Sequence, residues 1–106
     1  MATPSLAATA SQIASALGLS EDELSRQALI SFLRYQKRDA MQLHLDILAR
    51  YGAQSLEGLE AKIAQGTVVE HPAWEDLIVA ENLTARLEEL DAYLDRLQGA
   101  ATDRAA

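Results

Sequence analysis

Few side chains in this sequence are equipped for chemistry. There is no cysteine, which excludes disulfides, thiolate metal sites and a cysteine nucleophile. His44 and His71 are the only histidines. A di-iron bundle needs Glu-x-x-His pairs on facing helices, yet Met41 stands three residues before His44 and Val68 three before His71. His71 and Glu75 have the i,i+4 spacing that lets two side chains share a helix face and hold a metal weakly. His71 adjoins Pro72, however, so it is read as a residue of a helix start, and His44 as a residue within a helix. The carboxylates are spread around a helical surface without a paired acid and base, and no glycine-rich phosphate loop occurs. The expectation is a protein with no catalytic residue, metal or cofactor, acting through its surfaces.

The elements that carry those surfaces are helices. The chain has 20 Ala and 17 Leu against 3 Val and 5 Ile, with 2 Pro and 5 Gly. Ala and Leu are strong helix formers, and the β-branched residues of sheets are scarce. An all-α fold follows. With 106 residues, the chain forms a single domain. A compact monomer of 11.5 kDa exposes roughly 5,800 Å², against roughly 17,000 Å² when extended. No apolar run approaches the ~20 residues of a membrane span. The first residues, MATPSLAATASQ, lack the basic start and apolar block of a signal peptide. A soluble, cytoplasmic protein is expected.

Four helices are predicted, over about 5–17, 21–50, 56–65 and 72–98. Gly18 suits the left-handed residue after a first helix, and Ser20 with Glu23 forms a capping box for the second. Leu24, Ala28, Phe32 and Tyr35 make one apolar stripe of the second helix; Leu29, Leu33, Ala40, Leu43 and Ile47 make another. Gly52 ends it. Ser55 caps the short third helix, residues 67–70 form an extended connector, and Pro72 occupies a first turn. Leu83, Leu87, Leu90, Leu94 and Leu97 recur at alternating intervals of 4 and 3. That is a heptad seam, expected to join two chains. Residues 99–106 read as a frayed tail. An antiparallel hairpin with the first helix folded beside it leaves apolar stripes over, so a homodimeric bundle is expected.

Charge divides the chain into unlike halves. Residues 1–53 hold five basic and five acidic groups; residues 54–106 hold four basic and eleven acidic, so the net charge of −7 lies in the second half. Such asymmetry suits a basic partner. Trp74, the single tryptophan, packs on helix two or anchors an interface. The candidate partner-binding residues are Trp74, Asp76, Glu81, Glu88, Glu89 and Asp95.

Residues 10–24, with Ala14 at the close-packed position, Gly18 at the turn and Ile13, Leu17, Leu19 and Leu24 as core, resemble a DNA-binding helix-turn-helix. Extended to Leu33, the stretch is also similar to the helices of ribbon-helix-helix repressors. Residues 1–5, with Pro4, show none of the alternation of the N-terminal strand those repressors pair. Arg26, Arg34, Lys37 and Arg38 are the candidate DNA contacts, although Glu21, Asp22 and Glu23 would repel a phosphate groove. Taken whole, the chain resembles the small acidic helical antitoxins of prokaryotic toxin–antitoxin operons. The residues that carry this likeness are the N-terminal helix pair and the segment Glu70-His71-Pro72-Ala73-Trp74-Glu75-Asp76-Leu77 before a leucine-rich helix. The resemblance implies an N-terminal part for dimerisation and sometimes operator DNA, and an acidic C-terminal part that masks a basic toxin, often a ribonuclease. The expected function is therefore an antitoxin-like binding module. The alternatives are a homo-oligomeric structural bundle and a DNA-binding repressor.

Overall fold

The computed structural model describes residues 5–105, with side chains described over 5–99. The fold is all-α, with four helices among the described residues: α1 Leu6–Leu17, α2 Glu21–Arg50, α3 Leu56–Ala64 and α4 Glu70–Ala105. The boundaries follow local chemistry. Ser5, Ser20 and Ser55 each cap a helix by accepting the backbone N–H three residues on, which satisfies one otherwise orphaned donor. Gly18 ends α1 at φ 71° and sends its N–H back to Ala14 and Ser15. A side chain there would be strained, because L-residues avoid the left-handed region. The reciprocal half of the expected capping box is absent. Glu23 instead accepts from Gln27 at 2.9 Å and pairs with Arg26 at 3.5 Å.

The helix α4 departs from expectation at both ends. Helical hydrogen bonding begins at Glu70, but His71 is extended (φ −111°, ψ 127°) and the His71–Pro72 peptide is cis; regular helix runs from Pro72. At the other end helix continues past the expected limit near residue 98, through Gly99 to Ala105. A mid-helix glycine weakens a helix by only about 1 kcal/mol against alanine, and the Ala-rich residues that follow do not stop it. Residues 1–4, which bear on the expected absence of a strand, lie outside the described residues, as does residue 106.

Helices α2 and α4 form an antiparallel hairpin. Three cross-helix contacts set its sense, because they climb one helix while descending the other. Lys37 Nζ meets Asp91 at 2.7 Å, His44 Nε2 meets Thr84 Oγ1 at 3.2 Å, and Arg50 meets Asp76 at 2.9 Å. Thr84 also donates to the Ala80 carbonyl at 3.1 Å.

The core lies at the closed end of this hairpin. Ile47 and Leu48 of α2, Leu59 and Ile63 of α3, and Ala73, Leu77 and Ala80 of α4 bury one another. The short helix α3 presents Leu59 and Ile63, four apart and so on one face, as a lid over that end. Farther along, Leu90 and Leu94 are 7 % and 6 % exposed, with Leu83, Leu87 and Leu97 half-buried. The heptad seam is therefore not a free dimer surface: it packs on α2 of the same chain. A seam spaced at 3.5 residues fits any antiparallel helix, and the hairpin supplies one within the molecule.

The result is a flat molecule, 60 × 45 × 15 Å, with a radius of gyration of 20.2 Å. A compact chain of this length has a radius near 13 Å.

Candidate functional site

Three surfaces were marked by the sequence, and the structure treats them differently. On α4, Trp74, Glu81, Glu88 and Asp95 recur every seven residues, which returns a helix to nearly the same face. All four are exposed. Ile78, Ala85 and Ala92, also exposed, fill the spaces one turn on from Trp74, Glu81 and Glu88. The face thus has an apolar start and a line of three carboxylates with small residues between them. Trp74 does not bury itself on α2; it is partly exposed, and its indole N–H donates to Glu70 at 3.1 Å.

Two expected members of this face lie elsewhere. Glu89 sits a quarter-turn round, 3.7 Å from Arg86. Asp76 faces inward, accepting from Arg50 at 2.9 Å and from the Tyr51 hydroxyl. Its carboxylate is an intramolecular clasp between the end of α2 and the start of α4, and is corrected from partner contact to structural residue. Tyr51 answers to it: the Asp76 hydrogen bond, then burial and the Asp76 charge, raise the phenol above its usual 10, against a lowering by Arg50. Only tertiary contact reveals this clasp, since 25 residues separate its members.

The basic cluster is likewise split. Arg26 is buried, at 8 % exposure, with Nη2 donating to Asp22 at 3.1 Å and Nη1 3.5 Å from Glu23. It does not project as a base-reading residue would. Lys37 is held by Asp91. Arg34 and Arg38 remain exposed, one turn apart. Salt-dependent DNA affinity grows with the number of phosphates neutralised, and two of the four expected cations are already engaged within the chain.

His71 and Glu75 do share a face, and they pair with each other: Nδ1 lies 2.8 Å from Glu75 Oε1. Among the described residues no group of three potential ligands is assembled. The Glu75 hydrogen bond, then its charge, raises the imidazole above its ordinary 6.5, with Glu70 adding and desolvation opposing. Glu75 shifts down, first through a backbone hydrogen bond and then through His71. A raised histidine value means that its contribution to the α4 start is full below 6.5 and is lost as pH rises through the folded-state value. A proton NMR titration of His71 is expected to give a midpoint above 6.5, and Glu75→Gln to return it toward 6.5. An unshifted midpoint in the parent chain would contradict the pairing.

The sequence reading did not identify the surface between α1 and α2. There Leu6 and Ile13 of α1 face Leu24, Ala28 and Leu29 of α2 across an open apolar groove of about 430 Å³. Its signal in the sequence is the stripe Leu24, Ala28, Phe32, Tyr35. Leu29 also lines a second apolar groove, with Leu33, Tyr93 and Leu97.

No described helix is long and apolar enough to cross a membrane. A family model described as "Uncharacterized protein MJ0235 family" matches residues 1–102. No curated protein and no solved structure matches the chain.

Proposed function

The chain belongs to the uncharacterized MJ0235 family, and on that premise we propose that it is a non-enzymatic binding module whose outer α4 face engages a basic protein. The observation that carries this reading is the line Trp74, Glu81, Glu88 and Asp95. These residues stand exposed along one side of α4, while Leu90 and Leu94 hold the opposite side against α2. An apolar anchor followed by regularly spaced carboxylates suits a basic helix or groove, because complementary charge speeds encounter and sets register. The anchor supplies buried aromatic area, which is where binding energy concentrates.

The mechanism is occlusion. Laid along a cationic, nucleic-acid-facing site, α4 presents carboxylates at intervals of about 10 Å, where phosphates would otherwise sit. That is the role of an antitoxin acting on a basic toxin such as a ribonuclease, and it agrees with the concentration of negative charge in residues 54–106. The outer face of α4 is exposed from Trp74 to Asp95.

The test begins with mild affinity purification from the native host and mass spectrometry of the stoichiometric companion. Binding of that purified companion is then measured at low salt. Glu81→Lys/Glu88→Lys is expected to weaken it by at least about tenfold, the equivalent of 1.4 kcal/mol. An acidic companion, or equal affinity of parent and variant for a basic one, would overturn the reading.

A further inference from the structure

We infer that the apolar face formed by α1 and the first half of α2 is where two copies of this chain join, as an antiparallel two-fold pair centred near residue 30 of α2. This is independent of the partner proposed for α4, which lies on another face.

The exposed area matches what a second copy would cover. The chain exposes 7582 Å², where a compact monomer of its mass exposes roughly 5,800 Å². The excess of about 1,800 Å² lies within the roughly 1,000–2,500 Å² that each chain buries in an obligate dimer. Large apolar side chains stand exposed on α1 and its neighbour stripe. Leu6 is 86 % exposed and Phe32 is 59 % exposed, with Ile13, Leu17, Leu29 and Tyr35 also uncovered. Ala14 is the only buried residue of α1. A 12-residue helix with so little packing is marginal on its own.

The face is neutral and self-complementary. The helix α1, LAATASQIASAL, carries no charge, and neither does the groove lining on α2. A charged partner has nothing to recognise there. The groove has a floor of small residues, Ala10, Ser25 and Ala28, and the bulky Phe32 ring stands one turn beyond it on the same stripe. A two-fold axis near residue 30 sets residue 28 of each copy opposite residue 32 of the other. The ring of each chain then enters the groove of its mate, as an isologous interface requires.

Packing selects the antiparallel sense. A parallel two-fold pair would set Phe32 of each copy against Phe32 of the other and leave both grooves unfilled; the antiparallel pair sets each ring against Ala28 in the groove of its mate.

Sedimentation and light scattering of the full chain at micromolar concentration are expected to give twice the 11.5 kDa chain mass. Phe32→Glu should halve that mass with helicity unchanged, since Phe32 packs little within the chain. Leu45→Glu, which alters an equally exposed residue outside the face, should leave it at two chains. A nitroxide on Gln42→Cys reads the sense, because an axis near residue 30 sets the two labels about 36 Å apart along the helices. A monomeric parent chain, a Phe32→Glu variant that stays dimeric, or Gln42 labels side by side would each overturn the inference. A monomer that still binds a basic companion would overturn this inference and leave the α4 reading standing.

Discussion

Leu77→Ala is expected to lower stability by about 3 kcal/mol, within the range for a leucine removed from a packed core. Leu77 is 1 % exposed and stands where three helices meet. Its neighbours Ile47 of α2 and Leu59 and Ile63 of α3 belong to two other helices, so the vacated space cannot be closed by one side chain turning. A domain of this size holds about 5–15 kcal/mol in total. Each kcal/mol moves the midpoint of a domain near 100 residues by roughly 4–8 °C, so a fall of 12 °C or more is expected in a thermal melt. Parent and variant must be compared at one protein concentration, because self-association adds to apparent stability. Leu45→Ala is the control: this residue is largely exposed, and a surface change of that kind stays within about 0.5 kcal/mol. Equal melts for the two variants would mean that the core is not at the closed end of the hairpin.

Asp76→Ala should destabilise the fold by about 2 kcal/mol, since hydrogen bonds to a charged group contribute about 1.5–3 kcal/mol. The substitution frees the Tyr51 hydroxyl and Arg50 together and unties the end of α2 from the start of α4. Asp76→Asn is expected to be milder. Its amide oxygen still accepts from Tyr51, and what it loses is mainly an ion pair with the half-exposed Arg50, worth at most about 1 kcal/mol. An ultraviolet titration supplies an independent readout. The folded-state Tyr51 value is raised, so its contribution to stability is present below pH 10 and is lost as pH climbs through that raised value. In Asp76→Ala the slowest phenol to ionise should move back toward 10. If neither stability nor titration changes, the clasp is not made.

Local structure was legible because its causes are local. Ser20, Gly18, Ser55 and Pro72 mark helix boundaries through hydrogen bonds and dihedral preferences that act within a few residues, and α1, α2 and α3 begin and end within a residue of expectation. Helix α4 runs on past the expected limit near residue 98, because nothing after Gly99 requires the left-handed turn that a stopping glycine provides. The sevenfold recurrence of Trp74, Glu81, Glu88 and Asp95 was equally open to reading, since the period alone puts them on one face. Asp76 and Glu89 share their chemistry but not their period, and composition could not separate them from the others.

What the amino-acid sequence determined by itself is therefore the all-helical class, the helix limits and the gathering of negative charge in one half. Propensity, capping and net charge depend on residue types and short spacings, and these are complete in one dimension. Only the tertiary structure decided which apolar stripe faces inward. The leucine seam of α4 and the stripe Leu24, Ala28, Phe32, Tyr35 have the same amphipathic signature, and either satisfies the hydrophobic effect against any suitable helix. The hairpin closed by α3 and by the Asp76 clasp brings the leucines onto α2 of their own chain. The other stripe is left on the surface beside α1. Burial is a relation between distant segments, and no residue carries it alone.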